Sequence, residues 1–336
     1  MRAIAVLMKY DYGVEERGYS YEYLNVYLPL CSLLGSPNVL LFDFMAEIKK
    51  RGRSGMNARL REVFESEKPD FGVFCLFENE FDESIVDSLK NVCKTVVYFF
   101  DDPWRTVYAK KWIRHFDFFT TSDFYKLKQY ELEGLRSVIY TPFGFNSSIY
   151  KKLDLQKKYE ISFVGGYSSY RGWIMSILKK HGLKVNVFGR GWGSKQSWIS
   201  QEQMVEIFNQ SKINLNLSNN IHADFRYLIW SLKSFRALKE ILQSKKYKEM
   251  IKGRHFEINA CGGFQLSYFV PGLNLIYEIE KEIAVYENIS ALPDAIEFYL
   301  RNDELRESIA LKGYERSVKE HDAQNYIKRI IDRVKE

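Results

Sequence analysis

Two cations and one carboxylate lie close together in the run Lys-Gly-Arg-His-Phe-Glu. Lys252 and Arg254 can offer charge and directional hydrogen bonds to an anion, and Glu257 can accept a hydrogen bond from a ribose hydroxyl. The run also reads as a helix start, where backbone N–H groups point at anions. These residue types in this order predict a site for a nucleotide diphosphate, which we extend to Gly262 in the turn that leads into the next strand.

A second group of candidate residues follows a strand that begins at Ile161. Gly165 and Gly166 would let the backbone approach a phosphate closely, and Arg171 near the next helix start could reach a diphosphate. Two glycines after a strand also make an ordinary tight turn, so the prediction rests on their position in the same domain. Arg190, with glycine on either side, is either a ligand contact or a solvated loop charge.

Two adjacent carboxylates, Asp101 and Asp102, stand at the end of another predicted strand. Either could act as a general base towards an acceptor hydroxyl, or stabilise positive charge that builds on a sugar ring. Asp102 directly before Pro103 also predicts a helix N-cap with proline at the first helical position, which favours Asp101 as the functional group. Glu78 follows a further apolar strand and could face the same cleft, or be a solvated loop carboxylate.

Several other chemistries find no support in the sequence. It contains no His-Glu-x-x-His motif or Cys/His cluster that would predict a metal site, and no metal is expected. The first strand lacks the Gly-x-Gly-x-x-Gly motif of dinucleotide binding, and there is no phosphate-binding Walker motif. Basic residues alternate with acidic ones, which argues against nucleic acid as a partner.

The elements that must position these residues alternate between short apolar runs and helix-length amphipathic segments, which predicts an α/β fold with parallel sheets. At 336 residues the chain is long enough for two domains. The predicted strands are Ala3–Met8, Val39–Phe42, Phe71–Phe77, Thr95–Phe100, Phe116–Thr120 and Val138–Thr141, then Ile161–Val164, Lys184–Phe188, Ile213–Leu217, Phe264–Ser267 and Ile283–Val285. A polar stretch separates the two series, so we predict two Rossmann-like doubly wound domains, residues 1–150 and 151–318, facing each other across a cleft.

The segment Ile221 to Lys252 interrupts the regular spacing with a helical apolar stripe and basic residues opposite. Its stripe comprises Trp230, Phe235, Leu238, Ile241 and Leu242. Such a helix most often packs on its own domain, and the alternative is contact with a membrane surface. The formal net charge of +6 favours anionic partners without selecting among them. The scattered cysteines and the lack of a signal-like or membrane-spanning run predict a cytoplasmic protein, with the inner face of the membrane left open.

Seven motifs, in order along most of the chain, resemble those of the glycosyltransferases typified by spore maturation protein CgeB. They are Arg-Gly-Tyr-Ser-Tyr-Glu at 17–22, Leu-Phe-Glu at 76–78, Tyr-Phe-Phe-Asp-Asp-Pro-Trp-Arg at 98–105, Phe-Val-Gly at 163–165 with Arg171, Phe-Gly-Arg-Gly-Trp at 188–192, Lys-Ile-Asn-Leu-Asn-Leu-Ser at 212–218 and the run 252–266. Gly-Tyr-Glu-Arg at 313–316 and Glu-His at 320–321 look like that family's closing helix.

This resemblance implies a GT-B transferase that needs no cofactor or metal. The donor nucleotide-sugar would bind the C-terminal domain and the acceptor the N-terminal domain, with Tyr19, Glu78 and Arg105 on the acceptor side. The last helix, residues 319–336, would pack back towards the N-terminal domain. Glu257 matches the second glutamate of the Glu-x7-Glu pattern of related enzymes, and Glu249 has the spacing of the first, although CgeB-like chains do not reliably carry it.

The sequence therefore predicts a glycosyltransferase that moves a sugar from a nucleotide-diphosphate-sugar to a hydroxyl of a glycan, a lipid-linked glycan or a surface polymer. Two alternatives stay open. The chain could be a non-catalytic carbohydrate- or nucleotide-binding component of a surface-assembly complex. It could also be a nucleotide-sugar epimerase or hydrolase on the same fold.

Overall fold

The computed structural model describes residues 1–193, 198–218, 224–243 and 249–336. These residues form two compact units, Met1–Asn146 with Asp322–Glu336, and Ser147–His321. The boundaries predicted at residues 150 and 318 stand a few residues from those of the units. Within the described ranges, no helix is long and apolar enough to cross a membrane.

The first unit is built on a six-stranded parallel sheet in the order β2-β1-β3-β4-β5-β6. Its strands are β1 (Ala3–Leu7), β2 (Val39–Asp43), β3 (Phe71–Phe74), β4 (Lys94–Val97), β5 (Phe118–Thr121) and β6 (Val138–Tyr140). Its helices are α1 (Leu28–Leu34), α2 (Phe44–Glu67), α3 (Glu83–Leu89), α4 (Thr106–Ile113), α5 (Phe124–Leu132) and, from the far end of the chain, α13 (Ala323–Lys335). A π-helical turn, Tyr23–Tyr27, leads into α1.

Apolar layers cover both faces of this sheet, which is why its strands read as continuous apolar runs in the sequence. On one face, side chains of α2 and α4 such as Phe64 and Trp112 pack against the strands. On the other face, α13 supplies Ile327, Ile330 and Ile331 to the same core as β1 and α1. The core of the first unit therefore includes residues from both ends of the chain.

The second unit contains a five-stranded parallel sheet in the order β11-β10-β9-β7-β8. Its strands are β7 (Tyr159–Val164), β8 (Asn186–Phe188), β9 (Ser211–Asn216), β10 (Gln265–Tyr268) and β11 (Ala284–Tyr286). Its helices are α6 (Ser169–Lys180), α7 (Gln201–Gln210), α8 (Phe225–Ser231), α9 (Phe235–Gln243), α10 (Arg254–Ala260), α11 (Leu292–Arg301) and α12 (Asp303–Glu320).

The two parallel α/β units confirm the predicted fold class, and each of the eleven predicted strands corresponds to one of these. Two predicted strands are too long at their carboxyl ends: β3 ends at Phe74 rather than Phe77, and β4 at Val97 rather than Phe100. In both places the apolar run continues into loop residues that remain largely buried. Burial of a loop next to the sheet explains why composition alone placed the strand ends too late.

Candidate functional site

In the second unit, the loops that follow β7 and β8 are bonded to each other by their backbones. Gly165 donates its N–H to the Phe188 carbonyl at 2.9 Å, and Tyr167 donates to the Arg190 carbonyl at 2.9 Å. A Cβ added at Gly189, whose φ is +122°, would lie 2.7 Å from the Gly165 oxygen. Only glycine fits there, because both the space and the backbone conformation exclude a side chain.

Gly166 and Arg190 differ in what they offer to a ligand. Among the described residues, a Cβ at Gly166 would meet only the Arg190 carbonyl oxygen, at 3.8 Å, so they leave space beside the backbone there. The Arg190 side chain is exposed, with its guanidinium 5.7 Å from the centre of the Trp198 ring. Gly166 can therefore admit a phosphate close to the main chain, whereas Arg190 reaches the loop chiefly through its backbone carbonyl.

Arg171 donates three hydrogen bonds to main-chain carbonyl oxygens. It donates from Nη1 to the Gly166 carbonyl at 2.9 Å, from Nη2 to Leu217 at 3.1 Å and from Nε to Ser218 at 3.2 Å. These carbonyls belong to the loop after β7 and to the end of β9. Among the described residues, these bonds use three of the five N–H groups of the guanidinium, which leaves two that could meet a ligand. Arg171 therefore holds two loops together and can meet an anion with the remaining face.

Arg254 and Glu257, three residues apart in α10, form an ion pair. The Glu257 side chain is almost fully buried, and the Arg254 guanidinium lies 5.4 Å from the centre of the Phe208 ring. Burial alone would lower the pKa of Arg254, but Glu257 and the Tyr150 hydroxyl outweigh it and raise that pKa. Arg254, which we predict to bind phosphate, and Glu257, which we predict to bind the ribose, therefore hold each other in position.

The guanidiniums of Arg171 and Arg254 act on each other electrostatically. Burial lowers the pKa of Arg171 to about 10, and the positive charge of Arg254 adds to that effect. Next to Arg171, a cavity at the carboxyl edge of the sheet is lined by Tyr170, Ser218, Asp224, Tyr268, Tyr286 and Asn288 among others. Because the charge of Arg254 disfavours that of Arg171, an anion with more than one negative charge would suit this pair of partly buried cations.

A hydrogen bond joins the backbone of Lys252 to the side chain of His255 at the start of α10. Lys252 donates its N–H to His255 Nδ1 at 3.0 Å, and its ammonium lies 6.0 Å from the centre of the Tyr268 ring. His255 is fully buried, and burial lowers its pKa to about 4. The histidine is therefore neutral at physiological pH and shapes the loop, while Lys252 contributes the charge.

Gly262 and Glu249 stand on either side of α10 in sequence. Gly262, at φ +66°, ends the helix, and a Cβ there would lie 3.0 Å from Cδ of Lys152. Its observed contacts are those of a helix-ending turn. The Glu249 carboxylate accepts a hydrogen bond from the Ser218 hydroxyl, at the point where Arg171 also binds the chain. Glu249 therefore belongs to the same group of residues as Arg171.

In the first unit, two predicted acceptor-side residues, Arg105 and Glu78, form one network with Asp101. Arg105 donates to the Phe77 carbonyl at 2.7 Å and forms an ion pair with Asp101 at 3.4 Å. Its guanidinium stacks 3.9 Å from the centre of the Tyr108 ring, and the Tyr108 hydroxyl donates to the Glu78 carbonyl at 2.8 Å. The Glu78 side chain is exposed. The loops after β3 and β4 thus present Glu78 and Asp101 around one arginine.

Asp102 lies inside the first unit, and its predicted role as a helix N-cap is wrong. Helix α4 begins at Thr106, and residues 101–104 form a turn instead. The fully buried Asp102 carboxylate accepts from the Thr121 hydroxyl at 2.7 Å and from the Tyr130 hydroxyl at 3.3 Å. Burial raises its pKa to about 7. The bonds to β5 and α5 outcompete the capping position that Pro103 suggests.

Tyr19 belongs to a line of stacked aromatic rings in the loop and helix after β1. Its ring stacks on Tyr10 at 5.6 Å and on Tyr23 at 4.7 Å, and Tyr23 in turn stacks on Tyr27 at 5.0 Å. Tyr19 is exposed, so its edge and hydroxyl are accessible while its faces are covered. The structure joins Tyr19 to this stack rather than to the Arg105 network.

Glu22, to which the sequence gave no role, is a half-buried carboxyl next to the π-helical turn. Burial raises its pKa to about 7, and the carboxylates of Asp11 and Asp43 reinforce the shift. A general base works best when its pKa is near the working pH. The π-helical turn was the one signal that could have marked this position, because such turns concentrate at functional sites, but it cannot be recognised from composition.

The described parts of the chain hold no group of three or more His, Cys, Asp or Glu side chains arranged for a metal ion. The acidic groups around Arg105 and Arg171 instead bind cationic side chains or hydroxyls. Whether catalysis proceeds without a metal stays a prediction.

Part of the chain matches a known protein family. Residues 171–332 match a family model described as glycosyl transferase-like. No curated protein sequence matches the chain. The matched stretch contains Arg171, Lys252, Arg254 and Glu257, so the second unit carries most of the family signal.

Solved structures share the fold across nearly the whole chain. Anabaena Alr3699/HepE in complex with UDP aligns with a TM-score of 0.62 at 8% identity, over 100% of both chains. Sucrose-phosphate synthase from Thermosynechococcus elongatus aligns at 0.63 and 11% identity, over 99% of this chain and 98% of that one. A UDP-N-acetylglucosamine 2-epimerase, so described provisionally, from Listeria monocytogenes aligns at 0.57 and 9% identity, over 98% and 94%. At such identities the likeness establishes the fold, which is that of GT-B glycosyltransferases.

Proposed function

We propose that this chain is a glycosyltransferase of the CgeB type that binds a nucleotide-diphosphate-sugar on its second unit and transfers the sugar to a hydroxyl acceptor without a metal ion. The observation that carries the proposal is that Arg171 and Arg254 lie close enough for the charge of Arg254 to act on Arg171, which binds the Ser218 carbonyl in the wall of the cavity. A diphosphate would offset both charges, and Glu257 next to Arg254 would accept a hydrogen bond from the ribose.

The same cations fit the demand of the transfer step. As the bond from the anomeric carbon to the diphosphate breaks, negative charge accumulates on the departing oxygen, and stabilisation at that point accelerates the reaction. Arg171 is fixed by three backbone carbonyls, so it would meet this charge without having to reorganise. Lys252 would add a third positive charge, and Gly166 would leave room for the phosphate to approach the main chain.

On the first unit, the acceptor would be held and activated at the carboxyl edge of the first sheet. Arg105 and Asp101 form a half-buried ion pair there, and Glu78 lies in the neighbouring loop, so a sugar hydroxyl would find both donors and acceptors. The acceptor oxygen would bond to the anomeric carbon while its proton passes to a carboxylate. We assign that step to Glu22, which lies close enough to Asp11 and Asp43, after β1 and at the end of β2, for their charges to act on it, whereas the interior position of Asp102 gives it a structural role.

The first experiment is a thermal-shift panel with the diphosphates of uridine, guanosine, thymidine, cytidine and adenosine, and with the common nucleotide-sugars of these bases. A ligand that binds only the folded state raises its apparent stability. We expect one nucleotide to raise the unfolding temperature selectively, with UDP the first choice because it is bound in the Anabaena structure. The shift should disappear in Glu257→Gln and persist in Glu304→Gln, an exposed glutamate of the same unit.

Product analysis then separates transfer from the alternatives. With the selected donor, transferase activity releases the nucleotide only when an acceptor is present. An epimerase, as the Listeria neighbour is described, would yield a new nucleotide-sugar without acceptor. A nucleotide-dependent thermal shift with no turnover across an acceptor panel would instead favour a binding component. No shift with any nucleotide would contradict the proposed donor site.

A further inference from the structure

Helices α8 and α9 of the second unit carry six exposed apolar side chains. We call these two helices the 225–243 helical pair. The six side chains are 45 to 86% exposed: Phe225, Leu228, Ile229, Leu232, Phe235 and Leu242. The first four follow the spacing i, i+3, i+4 and i+7, which places them along one side of a helix. An exposed apolar stripe of this size marks a surface that binds another molecule or a membrane when the protein functions.

The opposite side of the helical pair is its packing surface. Tyr227 and Ala237 are fully buried, and the Tyr227 ring packs against Tyr170 and Trp173 of α6 at 5.1 and 5.4 Å. The interpretation that the segment packs on its own domain therefore holds for this face. It does not hold for Phe235 and Leu242, which belong to the predicted stripe but are exposed to solvent.

Charge indicates what covers the exposed side. Residues 224–248 contain seven lysines and arginines but only two acidic residues, a formal net charge of +5 within a chain whose total is +6. Arg226 pairs with Asp224 and Arg236 with Glu240, while Lys233 and Lys239 are exposed on the helical pair. Three further lysines, at 245, 246 and 248, lie outside the described residues. Nearly all of the excess positive charge is therefore concentrated in this short segment.

We propose that the 225–243 helical pair binds an anionic lipid surface, with its exposed apolar side chains inserted at the interface and its lysines and arginines on the headgroups. Interfacial helices have this composition, with Phe and Leu on one side and Lys and Arg on the other. A second copy of the chain fits poorly, because a symmetric contact would bring two segments of +5 together. This surface goes beyond the proposed transfer reaction and does not depend on it.

The attachment would also place the donor cavity near lipid. Asp224, the N-cap of α8, lines the same cavity as Tyr268 and Ser218. Attachment through the helical pair would hold that cavity close to the bilayer surface. Acceptors carried on lipid would then be encountered more often than free ones.

The test is sedimentation of the full chain with vesicles of phosphatidylcholine alone and with vesicles that also contain phosphatidylglycerol. We expect binding to the anionic vesicles only, weakened by high salt. The triple variant Leu232→Ser, Phe235→Ser, Leu242→Ser should lower the affinity about tenfold or more, and Lys233→Gln with Lys239→Gln should lower it several-fold. All of these positions are exposed, so the unfolding temperature should be unchanged.

Val107 and Leu132 in the first unit provide the matched control, since they are 88 and 89% exposed and apolar. Val107→Ser with Leu132→Ser should bind vesicles as the original chain does. The proposal is overturned if the original chain does not bind anionic vesicles, or if the triple variant binds equally well. It is also overturned if the control pair loses as much affinity. A dimer that the triple variant dissociates, in a chain that does not bind vesicles, would show that a second copy covers the helical pair instead.

Discussion

Asp101 and Asp102 are neighbours in sequence, yet their carboxylates meet opposite environments: Asp101 pairs with Arg105 at 3.4 Å, and Asp102 accepts from Thr121 at 2.7 Å inside the protein. Asp101 keeps contact with solvent, whereas Asp102 is fully buried. The pair therefore divides into one residue that can meet a substrate and one that ties the loop to β5.

We expect Asp102→Asn to change how stability depends on pH. The folded state raises the pKa of Asp102 from 3.8 to about 7 through burial, so it binds a proton that the unfolded chain has lost. This contribution stabilises the fold at low pH and fades as the pH rises from about 4 to about 7. Asparagine cannot ionise, so the variant should gain about 2–3 kcal/mol relative to the original chain between pH 5 and pH 8.

Urea unfolding at these two pH values measures that difference. Asp332→Asn, at an exposed position in α13, is the control and should leave the pH dependence unchanged. If Asp102→Asn loses relative stability as the pH rises, the assigned protonation of Asp102 is wrong.

Glu22→Gln should remove turnover and leave donor binding intact. As a general base Glu22 must be ionised, so the activity of the original chain should increase as the pH rises through about 7, the pKa that burial gives this group. Loss of the base should cost about 10²–10⁴ in rate. A pH–rate profile of both proteins with the selected donor measures this. An unchanged profile in Glu22→Gln would move the base to another carboxylate, with Asp101→Asn the next variant to assay.

Gly166→Ala should separate ligand binding from folding. Within the part of the chain that the structure describes, an added Cβ would meet only the Arg190 carbonyl oxygen at 3.8 Å, so the unfolding temperature should stay the same. If a phosphate approaches the backbone there, nucleotide affinity should decrease about tenfold, as isothermal titration would show. Equal affinity in both proteins would remove Gly166 from the donor site.

Gly189→Ala should destabilise the second unit instead. Its φ of +122° and the Gly165 oxygen 2.7 Å from the new Cβ make alanine costly, by about 2–4 kcal/mol in the free energy of unfolding. Gly193→Ala is the matched control, because no described residue comes within 4 Å of a Cβ added there. Denaturant unfolding compares the two, and equal stabilities would show that the backbone can relax at residue 189.

Arg254→Lys should weaken nucleotide binding while keeping the charge opposite buried Glu257. Lysine cannot bind the carboxylate and a phosphate in the same planar geometry, so we expect a loss of about tenfold to a hundredfold in affinity. Arg254→Ala would also leave Glu257 buried without its partner and reduce stability. Arg301→Lys, on the surface of α11, is the control. Unchanged affinity in Arg254→Lys would contradict the proposed donor site.

The strands were predictable because parallel strands buried on both faces carry continuous apolar runs. β1, with all five residues buried, is the plainest example. The candidate site was predictable only in outline. Arg171 reads in the sequence as a phosphate ligand, and nothing in its neighbours indicates that it binds the carbonyls of Leu217 and Ser218, which are more than forty residues away.

Asp102 and the 225–243 helical pair show the same limit. The dipeptide of Asp102 and Pro103 is a good local signal for a cap, but the fold gives Asp102 two hydroxyl partners, one from β5 and one from α5. The apolar stripe with Phe235 was recognised correctly as helical, yet periodicity does not distinguish a face that packs from one that is exposed. Local patterns predicted the elements, and long-range contacts decided the roles.

The position of α13 in the core of the first unit has a consequence for synthesis on the ribosome. Ile327, Ile330 and Ile331 leave the ribosome only after the whole of the second unit, yet they complete a layer that begins with β1. Until then that face of the first sheet lacks the side chains of α13 and is covered only in part, by α1 among others. Apolar surface exposed during synthesis favours aggregation, so the nascent first unit would need protection until the last helix is made.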